Sequence, residues 1–273
     1  MKILVCGDIV GRSGREVIEN FLPELVSEND INFVIVNGEN SASGFGITKK
    51  ICEQLFDLGV DVITSGNHIW DQKEIIFFIE NEKRLIRPCN YPKQTPGRGF
   101  GVYKTKDGNL VSVINVMCRL FMDNIDDPFR KLDDVIEQIK IENGEHTIIV
   151  DVHGESTSEK MAIGHYLDGK VTAILGTHTH VPTADLQILE KGTFYQTDLG
   201  MTGPRESVLG RDIDACVGRF LDGMPRKCPV AEKDVGMQGC MIEVSDDTPC
   251  KTFKFQRIEL REDAGGLVST PTQ

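Results

Sequence analysis

The sequence predicts an α/β fold built on parallel strands, and three observations support this prediction. Short apolar runs alternate with amphipathic stretches along most of the chain, which is the pattern of βαβ units. Polar clusters follow several of the predicted strands, and no internal repeat or low-complexity tract interrupts the pattern. With 273 residues, of which 40% are hydrophobic and 26% charged, the chain is long enough to bury a sizeable core.

The N-terminal part of the chain is predicted to alternate strand and helix three times. Strands are predicted at Ile3–Cys6, Phe33–Val36 and Val60–Thr64. Helices are predicted over 15–28, over 48–59 and after 71. The glycine-rich segment 7–14 is predicted as a loop, and Pro23 is expected to kink or break the first helix. Thr48 is expected to cap the second helix, and Asp71 can cap the third.

The remainder of the chain begins with an irregular segment. Three prolines and several glycines lie in 86–116, which ends in a hairpin with Asp107-Gly108 as its turn. Asp127-Pro128 opens a helix, because proline suits the first helical position. The later predicted elements are strands at 147–150 and 171–175, a helix between them at 158–167, and a helix at 212–221 within a β-rich region after 185. No linker divides the chain, so we predict one domain over 1–261 and a frayed tail over 262–273.

Composition excludes several classes of protein. The formal net charge of −12 repels polyphosphate backbones, so no binding of long nucleic acid is expected. A small phosphate substrate is compatible with this charge, since a bound metal can invert the local field. No apolar run approaches the ~20 residues that span a bilayer, and the N-terminal run is too short for a signal peptide. Eight cysteines without a CxxC pair indicate reduced thiols, and we predict a cytoplasmic protein.

Side chains of the kinds that bind metals follow five of the predicted strands. They are Asp8, Glu39 with Asn40, Asn67 with His68, His153, and His178 with His180. Because sites in open α/β sheets lie outside the carboxyl ends of the strands, these side chains would converge on one edge. Each cluster alone is also consistent with a turn, a helix cap or a buried structural histidine. Their shared position is therefore the basis of the prediction.

The arrangement predicts a two-metal centre. In the extended segment Gly176-Thr177-His178-Thr179-His180, side chains two residues apart point to the same side, so both imidazoles can face one site. A pair of metals ~3.5–4 Å apart needs a bridging anion, and Glu39 suits that position. Asp8, Asn40 and His180 could complete one metal, and Asn67, His153 and His178 the other. This mixed nitrogen and oxygen set suits Fe, Mn or Zn better than Ca or Mg.

The charges of such a centre predict the chemistry. Two divalent cations bring +4, Asp8 and Glu39 bring −2, and a bridging hydroxide brings −1, which leaves a net +1 for an anionic phosphodiester. The metals would lower the pKa of a bound water, and the resulting hydroxide would attack phosphorus in line. His68 neighbours the ligand Asn67 but is not needed as a ligand. We assign it to protonate the leaving oxygen or to hold a phosphoryl oxygen.

These residues resemble those of the calcineurin-like metallophosphoesterases. The blocks that support the resemblance are Gly7-Asp8, Gly38-Glu39, Gly66-Asn67-His68, His153 and Gly176-x-His178-x-His180. Two departures put the first metal in question: Val10 stands where histidine is usual, and Glu39 stands where aspartate is usual. Asn40, directly after Glu39, could replace the missing histidine. Both departures are found in the YmdB-type bacterial branch, which the sequence resembles over nearly its whole length.

The resemblance to that branch also rests on further segments. They are Gly7–Gly11, Asn37–Asn40, Thr95–Gly99, Thr157–Lys160, Gly176–Asp185 and Asp198–Pro204. The resemblance implies a layered α/β/β/α sandwich with metals at the C-terminal ends of the strands. It implies two divalent ions per subunit, with iron preferred and Mn or Zn as alternatives. It also implies hydrolysis of phosphodiesters, including 2′,3′-cyclic nucleotides to 3′-nucleotides.

The substrate loop and the oligomeric state are less constrained by the sequence. Gly200–Gly210, with Thr202, Arg205 and Ser207, is a candidate substrate loop, although a structural turn is the alternative reading. The expected partner is a small phosphodiester or cyclic nucleotide, and a homo-oligomer stays open.

Three other enzyme classes fit the motifs poorly. Gly7, Gly11 and Gly14 lie between a strand and a helix, but their spacing is not the GxGxxG of dinucleotide-binding folds. A metallo-β-lactamase would continue His-x-His as x-Asp-His, where this chain has Pro182-Thr183. A serine hydrolase would need a Gly-x-Ser-x-Gly elbow, and the sequence has none. The alternative from another class is a non-catalytic regulatory protein that binds a metal or nucleotide.

Overall fold

The computed structural model describes residues 1–245, 248 and 251–262, and within them the chain forms six helices and thirteen strands. The helices are α1 Gly11–Glu28, α2 Lys49–Asp57, α3 Ile75–Ile79, α4 Pro128–Asn143, α5 Thr157–Leu167 and α6 Ile213–Asp222. The strands are β1 Lys2–Cys6, β2 Asp8–Ile9, β3 Phe33–Asn37, β4 Val62–Thr64, β5 Phe100–Lys104, β6 Leu110–Met117, β7 Thr147–His153, β8 Ala173–Thr177, β9 Gln187–Ile188, β10 Phe194–Gln196, β11 Met201–Pro204, β12 Val235–Val244 and β13 Thr252–Arg261.

The strands form two sheets, so the fold is mixed α/β, as predicted. The first sheet has the order β2-β11-β12-β1-β3-β4, with β13 paired to β12. Its strands β1, β3 and β4 are parallel, whereas β12 runs antiparallel to β1. The second sheet has the order β5-β6-β7-β8-β10-β9, and β6, β7, β8 and β10 are parallel. The carboxyl ends of two sets of parallel strands are therefore available to build a site.

The side chains of β1 show how the sheets are held. Successive residues of a strand point to opposite faces. Ile3 and Val5 belong to an apolar cluster that they share with Val113 of the second sheet. Leu4 lies in another cluster, together with Ile18 of α1. A third cluster joins the opposite face of the second sheet to α4 and α5.

Several local signals of the sequence agree with the structure. The hydroxyl of Thr48 accepts a hydrogen bond from the backbone of Ile51 and so caps α2. The carboxylate of Asp127 caps α4, which begins at Pro128. β5 and β6 form the predicted antiparallel hairpin, with Asp107-Gly108 between them.

The structure corrects other predictions. Helix α1 begins at Gly11 rather than at 15 and continues through Pro23. Glycine disfavours a helix by propensity, but here it allows close packing, because a Cβ on Gly14 would lie 2.3 Å from the Thr202 carbonyl oxygen. Asp71 does not cap α3, whose N-cap is Glu74.

Other predictions concern the thiols, the tail and the membrane. Seven cysteines of the described chain are free thiols. Apart from Glu262, the predicted frayed tail lies outside the described residues. None of the described helices has the length and apolar character needed to cross a bilayer.

Candidate metal centre

The strand ends of the two sheets meet at one cluster of polar side chains. The first sheet contributes Asp8 in β2, Glu39 and Asn40 after β3, and Asn67 after β4. The second sheet contributes His153, which is the last residue of β7, and His178 and His180 after β8. The structure brings all seven predicted residues together, but from the edges of two sheets rather than one.

One half of the cluster surrounds the imidazole of His153. Its Nε2 atom lies 3.0 Å from Glu39 Oε1, 3.0 Å from Asn67 Oδ1 and 3.1 Å from His178 Nδ1. Ligand atoms that are each ~2.1 Å from one ion lie about 3.0–3.4 Å from one another. The spacing of these four atoms therefore fits a shared cation. Glu39, His153 and His178 could hold a metal ion on geometric grounds alone.

The other half of the cluster surrounds His180. Its Nε2 atom lies 3.2 Å from Asn40 Nδ2 and 3.8 Å from Asp8 Oδ1. Asn40 Nδ2 is also 3.4 Å from both Asp8 Oδ1 and Glu39 Oε1. Rotation of the Asn40 amide would present its oxygen at the same point, as a metal ligand requires. Glu39 Oε1 is thus a neighbour of both halves.

The electrostatics of the cluster favour a cation. The side chains of Asp8 and Glu39 are fully buried, and among the described residues neither forms an ion pair with lysine or arginine. Burial raises the pKa of Asp8. Burial would also raise the pKa of Glu39, but His153 outweighs it and the pKa is lowered. Burial would lower the pKa of His153, but Glu39 and Asp8 outweigh it and raise that pKa to about 9. A bound metal would supply the positive charge in place of a proton.

Two glycines allow the strand ends to approach each other. A Cβ on Gly66 would lie 2.2 Å from the ring of His153, and one on Gly176 would lie 1.6 Å from the Thr197 carbonyl oxygen. His178 and His180 have φ angles of +99° and +63°. Such angles are strained for residues with a Cβ and concentrate at functional sites.

His68 lies beside the cluster and is held from three sides. Its backbone N–H donates to Glu39 Oε2 at 3.0 Å, which leaves Oε1 for the two halves of the cluster. Its Nδ1 atom is 2.9 Å from Asp71 Oδ2, and its ring meets Phe45 edge-on at a centroid distance of 5.0 Å. The side chain is 28% exposed. The contact with Asp71 fixes the ring and leaves Nε2 free.

Comparisons with known proteins agree with this cluster. The family model described as YmdB-like protein matches residues 4–258. The chain belongs to the YmdB-like family. A 2′,3′-cyclic-nucleotide 2′-phosphodiesterase of Bacillus subtilis (strain 168) is 44% identical over 265 residues, covering 96% of this chain and 98% of the relative.

Two solved structures resemble this YmdB-like chain throughout. A crystal structure of a hypothetical protein from Thermus thermophilus has a TM-score of 0.88 and 39% identity, and covers 96% of this chain and 100% of that one. A structure described as a novel phosphatase from Mycoplasma pneumoniae also has a TM-score of 0.88, with 36% identity and coverages of 96% and 94%. The resemblance to the YmdB branch is confirmed, and the names of the relatives support a hydrolytic enzyme.

Sequence reasoning missed the residues that support the histidines of this YmdB-like chain from behind. Thr177 Oγ1 donates to Asp151 Oδ1 at 2.7 Å and lies 2.9 Å from His153 Nδ1. Because its proton goes to Asp151, Thr177 accepts the Nδ1 proton of His153, and Nε2 is left facing the cluster. Burial raises the pKa of Asp151 to about 6. The signal in the sequence is that Asp151 is a charged residue within an apolar strand.

A buried ion pair supports the turn that bears His178. Lys160 Nζ donates to Thr177 O at 2.6 Å and to Asp198 Oδ2 at 2.9 Å. Asp198 Oδ2 also accepts the backbone N–H of Thr179 at 3.1 Å. The pair therefore holds the residues on both sides of His178. The sequence indicated both of its members only as parts of family motifs.

The cluster opens into a cleft of about 920 Å³. The predicted substrate residues do not line it. Thr202 is buried in β11, Arg205 pairs with Glu259 at 2.8 Å, and the hydroxyl of Ser207 donates to Pro204 O at 2.6 Å. The later part of the same loop lines the cleft instead, through Val208 and Leu209. These contacts favour the alternative reading of 202–207 as a structural turn.

Proposed function

We propose that this chain is a dinuclear-metal phosphodiesterase that acts on small phosphodiesters such as 2′,3′-cyclic nucleotides. The observation that supports the proposal best is the position of Glu39 Oε1. It lies 3.0 Å from His153 Nε2 and 3.4 Å from Asn40 Nδ2, so that one carboxylate oxygen adjoins both sets of ligand atoms. A bridging ligand between two metals occupies such a position.

The proposed ligands divide between the two metals by proximity. Asp8, Asn40 and His180 would hold one ion, Asn67, His153 and His178 the other, and Glu39 both. Two divalent ions supply activation of water and stabilisation of charge on phosphoryl oxygens. The nitrogen and oxygen donors suit iron, with Mn or Zn as alternatives.

The chain's own residues supply the proton and the shape of the site. His68 lies at the wall of the cleft, and its Nδ1 is held by Asp71, so that its other ring nitrogen can protonate the leaving oxygen. We further propose that the two sheets and their helices are the layers of a metallophosphoesterase sandwich. The three apolar clusters support this proposal, because one lies between the sheets and two lie beneath helices.

The relatives support the choice of substrate. The Bacillus subtilis relative is named for cleavage of 2′,3′-cyclic nucleotides at the 2′ position, and its 44% identity extends over 96% of this chain. We propose the same reaction here, with a 3′-nucleotide as product. A protein that binds metal and hydrolyses none of a panel of cyclic and linear phosphodiesters would instead favour the regulatory alternative.

The test separates metal binding from proton transfer. Purified wild-type protein should contain about two metals per chain and hydrolyse 2′,3′-cyclic AMP. Glu39→Gln should lose metal and activity together, because the bridging charge is gone. His68→Ala should keep both metals but lose about 10²–10⁴-fold in kcat, the usual contribution of a general acid. His165→Ala, which alters an exposed histidine of α5, is the control and should change neither quantity.

Two results would count against the proposal. Full metal content and turnover in Glu39→Gln would remove the bridging role. Loss of metal in His68→Ala would show that His68 is a ligand rather than the acid.

A further inference from the structure

The cleft has a second charged region that the hydrolysis of a cyclic nucleotide does not require. One end of the cleft is the metal cluster. The other end is formed by α6 and by residues directly before and after it, and we call this surface the cationic wall: Arg211, Arg219, Phe220, Arg226 and Lys227. Four basic side chains lie in this wall, although the formal net charge of the protein is −12. The two carboxylates that line the cleft, Glu39 and Glu155, contact His153 and His178 of the metal cluster.

The four cations of the wall differ in how far they are held by other groups of the protein. The guanidinium of Arg211 lies 4.0 Å from the centroid of the Phe45 ring and donates to Gly44 O at 2.7 Å, so it is held in place. Arg226 pairs with Asp222, the last residue of α6. Within the described part of the chain, Arg219 and Lys227 take part in no ion pair, and both are exposed. Two cations are thus available to a ligand.

A mononucleoside 2′,3′-cyclic phosphate carries only one phosphate, and the metal end of the cleft would bind it. Among the described residues, Arg219 and Lys227 would then still take part in no ion pair. Guanidinium and ammonium groups are the usual protein partners of phosphate. Phe220, with 86% of its surface exposed, and Phe45, with 45%, add aromatic faces to the same cleft. Aromatic faces next to cations are typical of sites that bind single-stranded nucleotides.

We propose that the cationic wall is a second phosphate subsite, which binds the phosphate on the 5′ oxygen of the nucleotide whose cyclic phosphate is hydrolysed. The inference rests on the proposed function for the position of the reacting group. It names a narrower substrate class: 2′,3′-cyclic nucleotides with a 5′-phosphate or a 5′-linked nucleotide. The size of the cleft, at about 920 Å³, is at the upper end of the ~300–1,000 Å³ of small-ligand sites.

Binding of two products tests the subsite without turnover. Calorimetry on the metal-loaded protein would compare adenosine 3′-monophosphate with adenosine 3′,5′-bisphosphate, which differ only in the 5′-phosphate. The bisphosphate should bind at least about tenfold more tightly, as a charge-assisted contact predicts. Added salt should reduce this difference, because the wall is exposed.

Three variants show whether the cationic wall causes the tighter binding of the bisphosphate. The double variant Arg219→Ala, Lys227→Ala should reduce the tenfold preference to about one. The exchange Arg219→Lys, Lys227→Arg preserves charge and should retain most of it. Arg130→Ala removes an exposed arginine of α4 outside the cleft and should retain all of it. Equal binding of the two products by the wild type would overturn the proposal, as would a preference that survives the double alanine variant.

Hydrolysis then identifies the source of the phosphate. The substrates are 2′,3′-cyclic AMP, its 5′-phosphorylated form, and a dinucleotide that ends in the same cyclic phosphate. A gain in kcat/KM for the 5′-phosphorylated mononucleotide alone points to a free terminal phosphate, and an equal gain for the dinucleotide points to the end of an oligonucleotide. If none is hydrolysed while the bisphosphate preference persists, the proposed function fails and the subsite stands.

The exposed apolar residues of α6 suggest one competing occupant, a second copy of this chain. Sedimentation of wild type and Phe220→Ala distinguishes the two. A wild-type dimer that Phe220→Ala dissociates, together with no bisphosphate preference, would identify the wall as a subunit interface and overturn the proposal.

Discussion

The two ends of the cleft are built in opposite ways. At the metal end, Asp8, Glu39, Asn40 and His153 are buried, and the other ligand side chains are half-buried. The cluster is supported from behind by Thr177, Asp151, Lys160 and Asp198. At the cationic wall, α6 buries only Cys216, and its aromatic and basic side chains face solvent. The same cleft therefore joins a rigid end to an end with few internal contacts.

This difference indicates how the two ends would work. Reacting groups need fixed positions, since small displacements of catalytic groups cost much of the rate. A buried network of satisfied polar groups provides that rigidity, but loss of one member leaves another unpaired. An exposed wall contributes little to stability and can adapt to different substrates. Substitutions at the metal end should therefore reduce stability, metal affinity or kcat strongly, whereas substitutions at the wall should change stability little.

The largest effect is expected at the buried ion pair. Lys160 and Asp198 are 1% and 0% exposed, so Lys160→Met would leave the Asp198 carboxylate buried without its partner. We expect the free energy of unfolding in urea to fall by about 3–5 kcal/mol, as for other broken buried pairs. Adding Asp198→Asn to Lys160→Met should recover part of the loss, because the buried charge is removed.

A surface pair between α4 and the segment after α5 is the matched control. Lys170 and Asp133 form an ion pair at 3.2 Å with side chains 44% and 45% exposed. Lys170→Met should cost only about 0–1 kcal/mol. Equal losses from the two lysine variants would show that the metal end has no special rigidity.

The second effect concerns metal affinity. Thr177→Val keeps the shape of the side chain but removes the hydroxyl between His153 and Asp151. His153 could then rotate or change tautomer, and we expect metal affinity to fall about 10–100-fold, measured by competition with a chelator. Thr193→Val is the control, because it also removes a buried hydroxyl. That hydroxyl donates to Val171 O at 2.7 Å and does not contact the metal cluster. Similar metal affinities in the two variants would argue against the supporting role.

The fold and the site were predictable from the sequence to different depths. The strand ends follow from apolar runs, and the polar residues predicted after them lie together in one cluster. What periodicity could not show is that the strands belong to two sheets. Leu4 and Val150 look alike in sequence, although the first packs beneath α1 and the second in the cluster of α4 and α5. Only long-range pairing, such as β12 joining β1 and β13, separates the sheets.

Two local predictions were made without the tertiary contacts that bear on them, and of these the prediction of Asp71 as a helix cap is wrong. Asp71 has the chemistry of a helix cap, but its carboxylate meets His68 instead, because the chain makes turns before α3 begins. Arg205 resembled a substrate ligand, yet Glu259 of the distant strand β13 occupies its guanidinium. In each case the partner is set by packing and not by neighbours in the sequence.

The third effect tests how Asp71 positions His68. Asp71→Asn weakens the contact with His68 Nδ1, so protonation of the leaving oxygen should slow and kcat should fall by about tenfold, part of the general-acid contribution. The loss should appear with a nucleoside or alkyl leaving group and vanish with a nitrophenolate, which leaves without a proton. Glu74→Gln, an acid of the same segment, is the control. An equal loss for both leaving groups would indicate a merely structural role.

The smallest effect is expected at the wall. Phe220 is 86% exposed, so Phe220→Ala removes few contacts and should change the free energy of unfolding by no more than about 0.5 kcal/mol. Phe194 lies fully buried between the sheets, and Phe194→Ala should cost about 3–5 kcal/mol by leaving a cavity. Chemical denaturation of both variants measures the difference directly. A large loss in Phe220→Ala would mean that the wall is packed in solution, and the contrast between the two ends of the cleft would disappear.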